Sequence, residues 1–137
     1  MEKALAIAGS LDDDLEEGVT LSRLGPALGH AGRHDESRQL LQRAEALLSR
    51  TDDKEAYAGA LSNLGHCHLL TGNYAGALPL LRRERELHKV QDARLRVANC
   101  ETNMALALAG VGELDEAYSR LKAVASILHP ETDGHQW

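Results

Sequence analysis

His66-Cys67-His68 sets three metal-capable side chains in a row, and His30 and His34 stand four residues apart. A metal site needs such ligands to converge on one point. On a helix, side chains two apart project to nearly opposite sides, so His66 and His68 cannot close on one ion. Gly32 interrupts any helix joining His30 to His34. The cysteines, Cys67 and Cys100, read as small apolar thiols of a reduced compartment. The glycines punctuate the chain and do not cluster into a phosphate cradle. One basic run, Arg82-Arg83-Glu84-Arg85-Glu86 with Lys89, Arg94 and Arg96 nearby, interleaves its arginines with carboxylates and reads as a solvated, ion-paired face. No catalytic residue, no metal site and no cofactor is expected, and the chain does not read as an enzyme.

The elements that carry these residues are bounded by composition. The 137 residues include 15 Lys+Arg against 21 Asp+Glu, a formal net charge of −6. That balance disfavours nucleic acid and anionic membranes, both of which reward a basic surface. No apolar run approaches the roughly eighteen residues that span a bilayer. The opening Met-Glu-Lys-Ala-Leu-Ala-Ile-Ala-Gly is too short in its apolar part for a signal peptide, so a cytoplasmic location is expected. Apolar residues make up 43% and aromatics only 3%, with no Phe, so the core must be Leu and Ala. Such a core favours helix packed on helix.

Self-similarity organises the chain. Leu-Ser-Arg-Leu-Gly begins at Leu21, Leu-Ser-Asn-Leu-Gly at Leu61 and Glu-Thr-Asn-Met-Ala at Glu101, a constant offset of 40. Gly32, Gly72 and Gly112 keep the same register, as do Leu41, Leu81 and Leu121, and Asp12, Asp52 and Asp92. Each unit reads as two helices. An Asp opens the first by accepting orphan backbone N–H groups, apolar residues such as Leu21, Leu24 and Leu28 follow at helical spacing, and the glycine ends it in the left-handed conformation. The second helix carries Leu40, Leu41, Ala44, Leu47 and Leu48 in the first unit. Pro26 and Pro79 fall inside helices and are expected to bend them locally. One domain over 1–130 is expected, with a leading half-unit 1–11, repeats 12–51, 52–91 and 92–130, and a polar tail 131–137.

The turn segments Gly-Arg-His-Asp-Glu-Ser, Gly-Asn-Tyr-Ala-Gly-Ala and Gly-Glu-Leu-Asp-Glu-Ala, and Asn63-Leu64-Gly65 followed by Gly72, Tyr74, Ala77 and Leu81, resemble the tetratricopeptide repeat. The period of 40 is similar to the longer variants of that family. Its aromatic positions hold Leu28, His68 and Leu108, and Glu84 stands where the first repeat has Ala44. The resemblance implies an all-α, right-handed superhelical stack of antiparallel helix hairpins. Small residues, Gly25, Gly65 and Ala105 with Ser37, Ala77 and Ala117, would let the two helices of each hairpin approach.

The resemblance also implies a concave side lined by the first helices. There Ser22, Ser62 and Thr102 recur, beside Arg23, Asn63 and Asn103, with His66 and Asn99 a turn away. An Asn amide both donates and accepts, so a ladder of them suits an extended peptide backbone, and Arg23 suits a carboxylate. A protein or peptide partner held in this groove is the expected function. The alternative is self-association: both chain ends leave apolar edges, and a second copy could cover Leu121, Val124, Ala125 and Leu128 as a homo-dimer.

Overall fold

The computed structural model describes residues 2–90 and 93–128, with side chains from Asp12 onward. Among the described residues the structure is all helical: α1 (Glu2–His30), α2 (His34–Leu48), α3 (Lys54–Leu70), α4 (Tyr74–Val90), α5 (Arg94–Gly110) and α6 (Leu114–Leu128). α3 and α5 start 40 residues apart, as do α2, α4 and α6 in turn. The described chain falls into two compact units divided between Cys67 and His68, which are described separately below.

The turn between the helices of a hairpin is the same each time. Gly32, Gly72 and Gly112 have φ of 81°, 80° and 89°. That left-handed conformation costs glycine almost nothing and any other residue about 1 kcal/mol or more. It lets the chain cap its own helix. The N–H of Arg33 bonds the carbonyl of Leu28 at 2.9 Å and that of Gly32 bonds Gly29 at 3.0 Å. Asn73 to His68 with Gly72 to Leu69, and Glu113 to Leu108 with Gly112 to Ala109, repeat the pattern. Two otherwise orphaned carbonyls are satisfied at each helix end.

In the first unit, α1 and α2 touch through small residues. Gly25 is buried, and a Cβ there would strike Leu41 of α2. The buried Ser37 hydroxyl donates to the Gly25 carbonyl at 2.6 Å. The core groups Ala44 and Leu48 of α2 with Ala60 of α3, and half-buried Leu15, Val19, Leu21, Ala56 and Tyr57 pack against it. In the second unit, Ala77, Leu78 and Leu81 of α4, Cys100, Met104, Ala105, Ala107 and Leu108 of α5, and Ala117 of α6 form one cluster. The ring of Tyr74 occupies the space beside Gly110. No aromatic core is needed, because alanine and glycine bring the helices close enough for leucine to fill what remains.

Three expectations are corrected. Asp12 starts no helix: α1 runs unbroken through it from Glu2 to His30, since nothing between Leu11 and Asp14 stops a helix already under way. α3 opens one residue later than Asp52, with Asp53 Oδ1 accepting the Ala56 N–H at 2.9 Å, the N-cap geometry. Leu24 is half exposed and leaves the core to Gly25. Both prolines lie inside helices that continue past them. Asp92 and the tail 131–137 lie outside the described residues.

The left-handed turns generate a direct test. Replacing Gly72 by Ala places a Cβ at φ +80° in otherwise open space, so only backbone strain is charged. A loss of about 1 kcal/mol in urea unfolding is expected, whereas Gly59→Ala, within a helix and facing open space, should stabilise by up to about 1 kcal/mol.

Candidate partner-binding site

The first unit contains a cleft of about 310 Å³ lined by Val19, Ser22 and Arg23 of α1, Asp53 before α3, and Glu55, Ala56 and Gly59 of α3. Two residues expected at the groove, Ser22 and Arg23, are in its wall. The reason is local. Arg23 follows Ser22 on α1, so when Ser22 turns inward its neighbour emerges on the exposed rim. Gly59 keeps the cleft open, because a Cβ added there meets nothing within 4 Å. Arg23 supplies the positive charge of the lining and Asp53 and Glu55 the negative charges. A ligand carrying both signs, as a peptide does, suits this lining better than a lone carboxylate.

The Asn63 amide is engaged inside the unit. Its Nδ2 donates to the Ser22 carbonyl at 2.9 Å and approaches the Ser22 hydroxyl oxygen at 3.2 Å. The amide donors that would grip a peptide backbone therefore tie α3 to α1. Ser22 itself is 8% exposed, so its hydroxyl belongs to this tie. Ser62 is half-buried and His66 is exposed on α3. In the second unit, Asn99 and Thr102 are exposed on α5 and Asn103 is half-buried. The Thr102 hydroxyl donates to the Ala98 carbonyl of its own helix at 3.0 Å.

His66, Cys67 and His68 diverge as helical geometry requires. His66 is exposed, Cys67 is buried, and His68 pairs its Nδ1 with the Asn73 amide at 3.1 Å. Among the described residues no group of His, Cys, Asp or Glu is arranged to hold a metal.

The second unit hides a polar cluster that the basic run had masked. Glu84, expected in a solvated face, is 5% exposed, and its Oε2 lies 2.8 Å from Nε2 of the equally buried His88. The correction follows from register: Glu84 and His88 take the places of Ala44 and Leu48, both fully buried. Beside them Glu101, 1% exposed, stands where Leu61 stands one repeat earlier. Its carboxylate pairs with Arg85 of α4 and with Arg120 of α6, the latter at 3.3 Å from both oxygens. Cys100 donates its thiol to the Leu81 carbonyl at 2.9 Å. Burial, and then the Glu84 and Glu101 carboxylates, push its pKa far above the ordinary thiol value. A thiol so held is no nucleophile.

The repeat geometry and the sequence agree with a known family. The sequence model of the tetratricopeptide repeat matches residues 16–89. The chain belongs to the tetratricopeptide repeat family. Its helix pairs are tetratricopeptide hairpins, and members of this family mediate protein–protein interaction in general. Over 105 residues, 77% of this chain, it is 30% identical to the regulatory protein AfsR of Streptomyces coelicolor. The chain spans 11% of that protein's length. Its fold is similar to the tetratricopeptide domain of Arabidopsis FLU, with a TM-score of 0.77 at 14% identity, covering 85% of this chain and 98% of that one. Among the described residues no helix is long and apolar enough to cross a membrane.

Two measurements follow. Asn63→Ala should lower unfolding stability by about 1 kcal/mol, because a helix–helix tie is lost; an unchanged melting curve would return Asn63 to the groove. Cys100 keeps its proton when folded but loses it near pH 9 when unfolded. The unfolded state gains from that ionisation, so stability falls as pH rises past 9. Urea titrations at pH 8 and pH 10 should show this decline, reduced in Cys100→Ala.

Proposed function

We propose that this chain is a non-catalytic interaction module that holds a peptide or protein segment against the first helices of its repeats. The observation that carries the reading is the cleft in the first unit, with Arg23 on its rim and Gly59 at its open wall. An extended segment laid there presents amides to the acidic edge and a carboxylate to Arg23. Ser62 and His66 of α3 add polar groups within the first unit, and the second unit, taken by itself, offers Asn99 and Asn103 of α5. Similarity to part of a regulatory protein accords with a binding role within a larger assembly, and no cofactor is needed for it.

A second reading, self-association, is favoured by one observation. Leu114, Tyr118, Leu121 and Leu128 of α6 are 66, 65, 51 and 38% exposed, which is more contiguous apolar surface than a lone helix in water favours.

Selection from a displayed random peptide library tests the first reading. Specific ligands should emerge, and Gly59→Leu, which fills the cleft without breaking α3, should weaken them about tenfold or more. Arg23→Glu should do the same with unchanged melting. A library that yields no specific ligand, or ligands indifferent to both substitutions, would sink the proposal.

A further inference from the structure

α6 bears two faces with different fates. One is spent on α5: Ala117 is buried in the shared core and Arg120 reaches Glu101. The other is the apolar stripe Leu114, Tyr118, Leu121 and Leu128, with the exposed Ala125 completing it. The steps along this stripe alternate four and three, the seam of a coiled coil. Leu114, Leu121 and Leu128 take one seam position, Tyr118 and Ala125 the other. One repeat earlier, Leu78 and Leu81 occupy the places of Tyr118 and Leu121. They are 9% and 0% exposed, in one cluster with Cys100, Met104 and Leu108 of α5. The stripe on α6 therefore has the make of a helix-receiving surface, and no helix lies on it among the described residues.

Resting on the second reading above, we propose that the occupant is α6 of a second copy, lying antiparallel across a two-fold axis. Size is the first argument. In an antiparallel seam the two positions alternate across the interface, so Leu114 meets the partner's small Ala125 and Tyr118 meets the partner's Leu121. A parallel pair would set Tyr118 on Tyr118 and Ala125 on Ala125, one layer crowded and the next hollow. Charge is the second argument. Asp115 and Lys122 both follow a seam leucine, on the side of the helix away from Ala117 and Val124. Antiparallel pairing sets these flanking positions against each other, so each Asp115 faces the partner's Lys122. Parallel pairing would set Lys122 against Ala117 of the second copy, leave Asp115 beyond the end of that copy's α6, and strand both charges. Lys122 is already held beside the seam, its Nζ 5.5 Å from the Tyr118 ring centre.

The same geometry fixes the strength and the size of the assembly. A helix of 15 residues is about 22 Å long, and one such pair falls short of the ~800 Å² per partner typical of stable interfaces. The dimer is accordingly concentration-dependent, and its two-fold symmetry closes it against further growth.

Sedimentation equilibrium over a wide dilution series, with circular dichroism to verify folding, tests this. The wild type should pass from monomer to dimer and no further. Leu121→Glu, at an exposed site, should weaken the dimer tenfold or more. Asp115→Lys and Lys122→Asp should each weaken it alone, and an equimolar mixture of the two should restore it, because only the mixed dimer sets unlike charges opposite at both places. A monomer at every concentration would overturn self-association itself. A dimer indifferent to Leu121→Glu would keep self-association but overturn the α6 surface. Sensitivity to Leu121→Glu without rescue in the mixture would overturn the antiparallel register.

Discussion

A helix that ends on Gly32, Gly72 or Gly112 must reverse direction within three residues, and it does so because one residue can sit at a φ near +80° without steric penalty. That single backbone state satisfies two carbonyls at the end of one helix and launches the next beside it. Close approach then becomes possible only where side chains are small, as at Gly25 against Leu41 and Ser37 or Ala105 near Ala117. Leucine fills the remaining space. A core with 3% aromatic residues is thus sufficient, because the turns hold the helices at a distance that leucine and alanine can fill.

Much of this architecture was legible in the sequence. The period of 40 placed the three turns and both kinds of helix, because positive-φ glycines and leucine spacing are local signals that tertiary contacts rarely override. The start of α1 was not legible. Register suggested a boundary at Asp12, but a helix ends only where something stops it, and a capping residue does not stop a helix already formed. For Asn63 the sequence leaves two uses open. Its side chain is equally suited to a ligand backbone and to the Ser22 carbonyl, and only the packing of α3 on α1 decides which it meets. Arg23, exposed on α1, stands in the wall of the first unit's cleft.

The buried charges of the second unit show how register can outweigh residue type. Glu84 sits among four basic or acidic neighbours in sequence and was read as solvated. Its place in the repeat, equivalent to the fully buried Ala44, was the stronger signal. Glu101 at the place of Leu61 carries the same message. Removing one partner from such a cluster exposes the other to the full cost of an unpaired buried charge, several kcal/mol, even though the intact pair contributes little net stability. The cluster constrains more than it stabilises.

Arrays of near-identical repeats face a hazard of their own during folding: any second helix can dock on the wrong first helix with nearly the right leucines in place. Here the Arg85–Glu101–Arg120 contact makes α4, α5 and α6 unlike their counterparts. Were α3 to take the place of α5, Leu61 would stand where Glu101 belongs, and two guanidinium groups would lose the carboxylate they share. The mismatched arrangement is therefore penalised by electrostatics although its apolar packing is nearly correct. The departure from the repeat at Arg85, Glu101 and Arg120 thus gives the second unit's core an address that the helices of the first unit do not match.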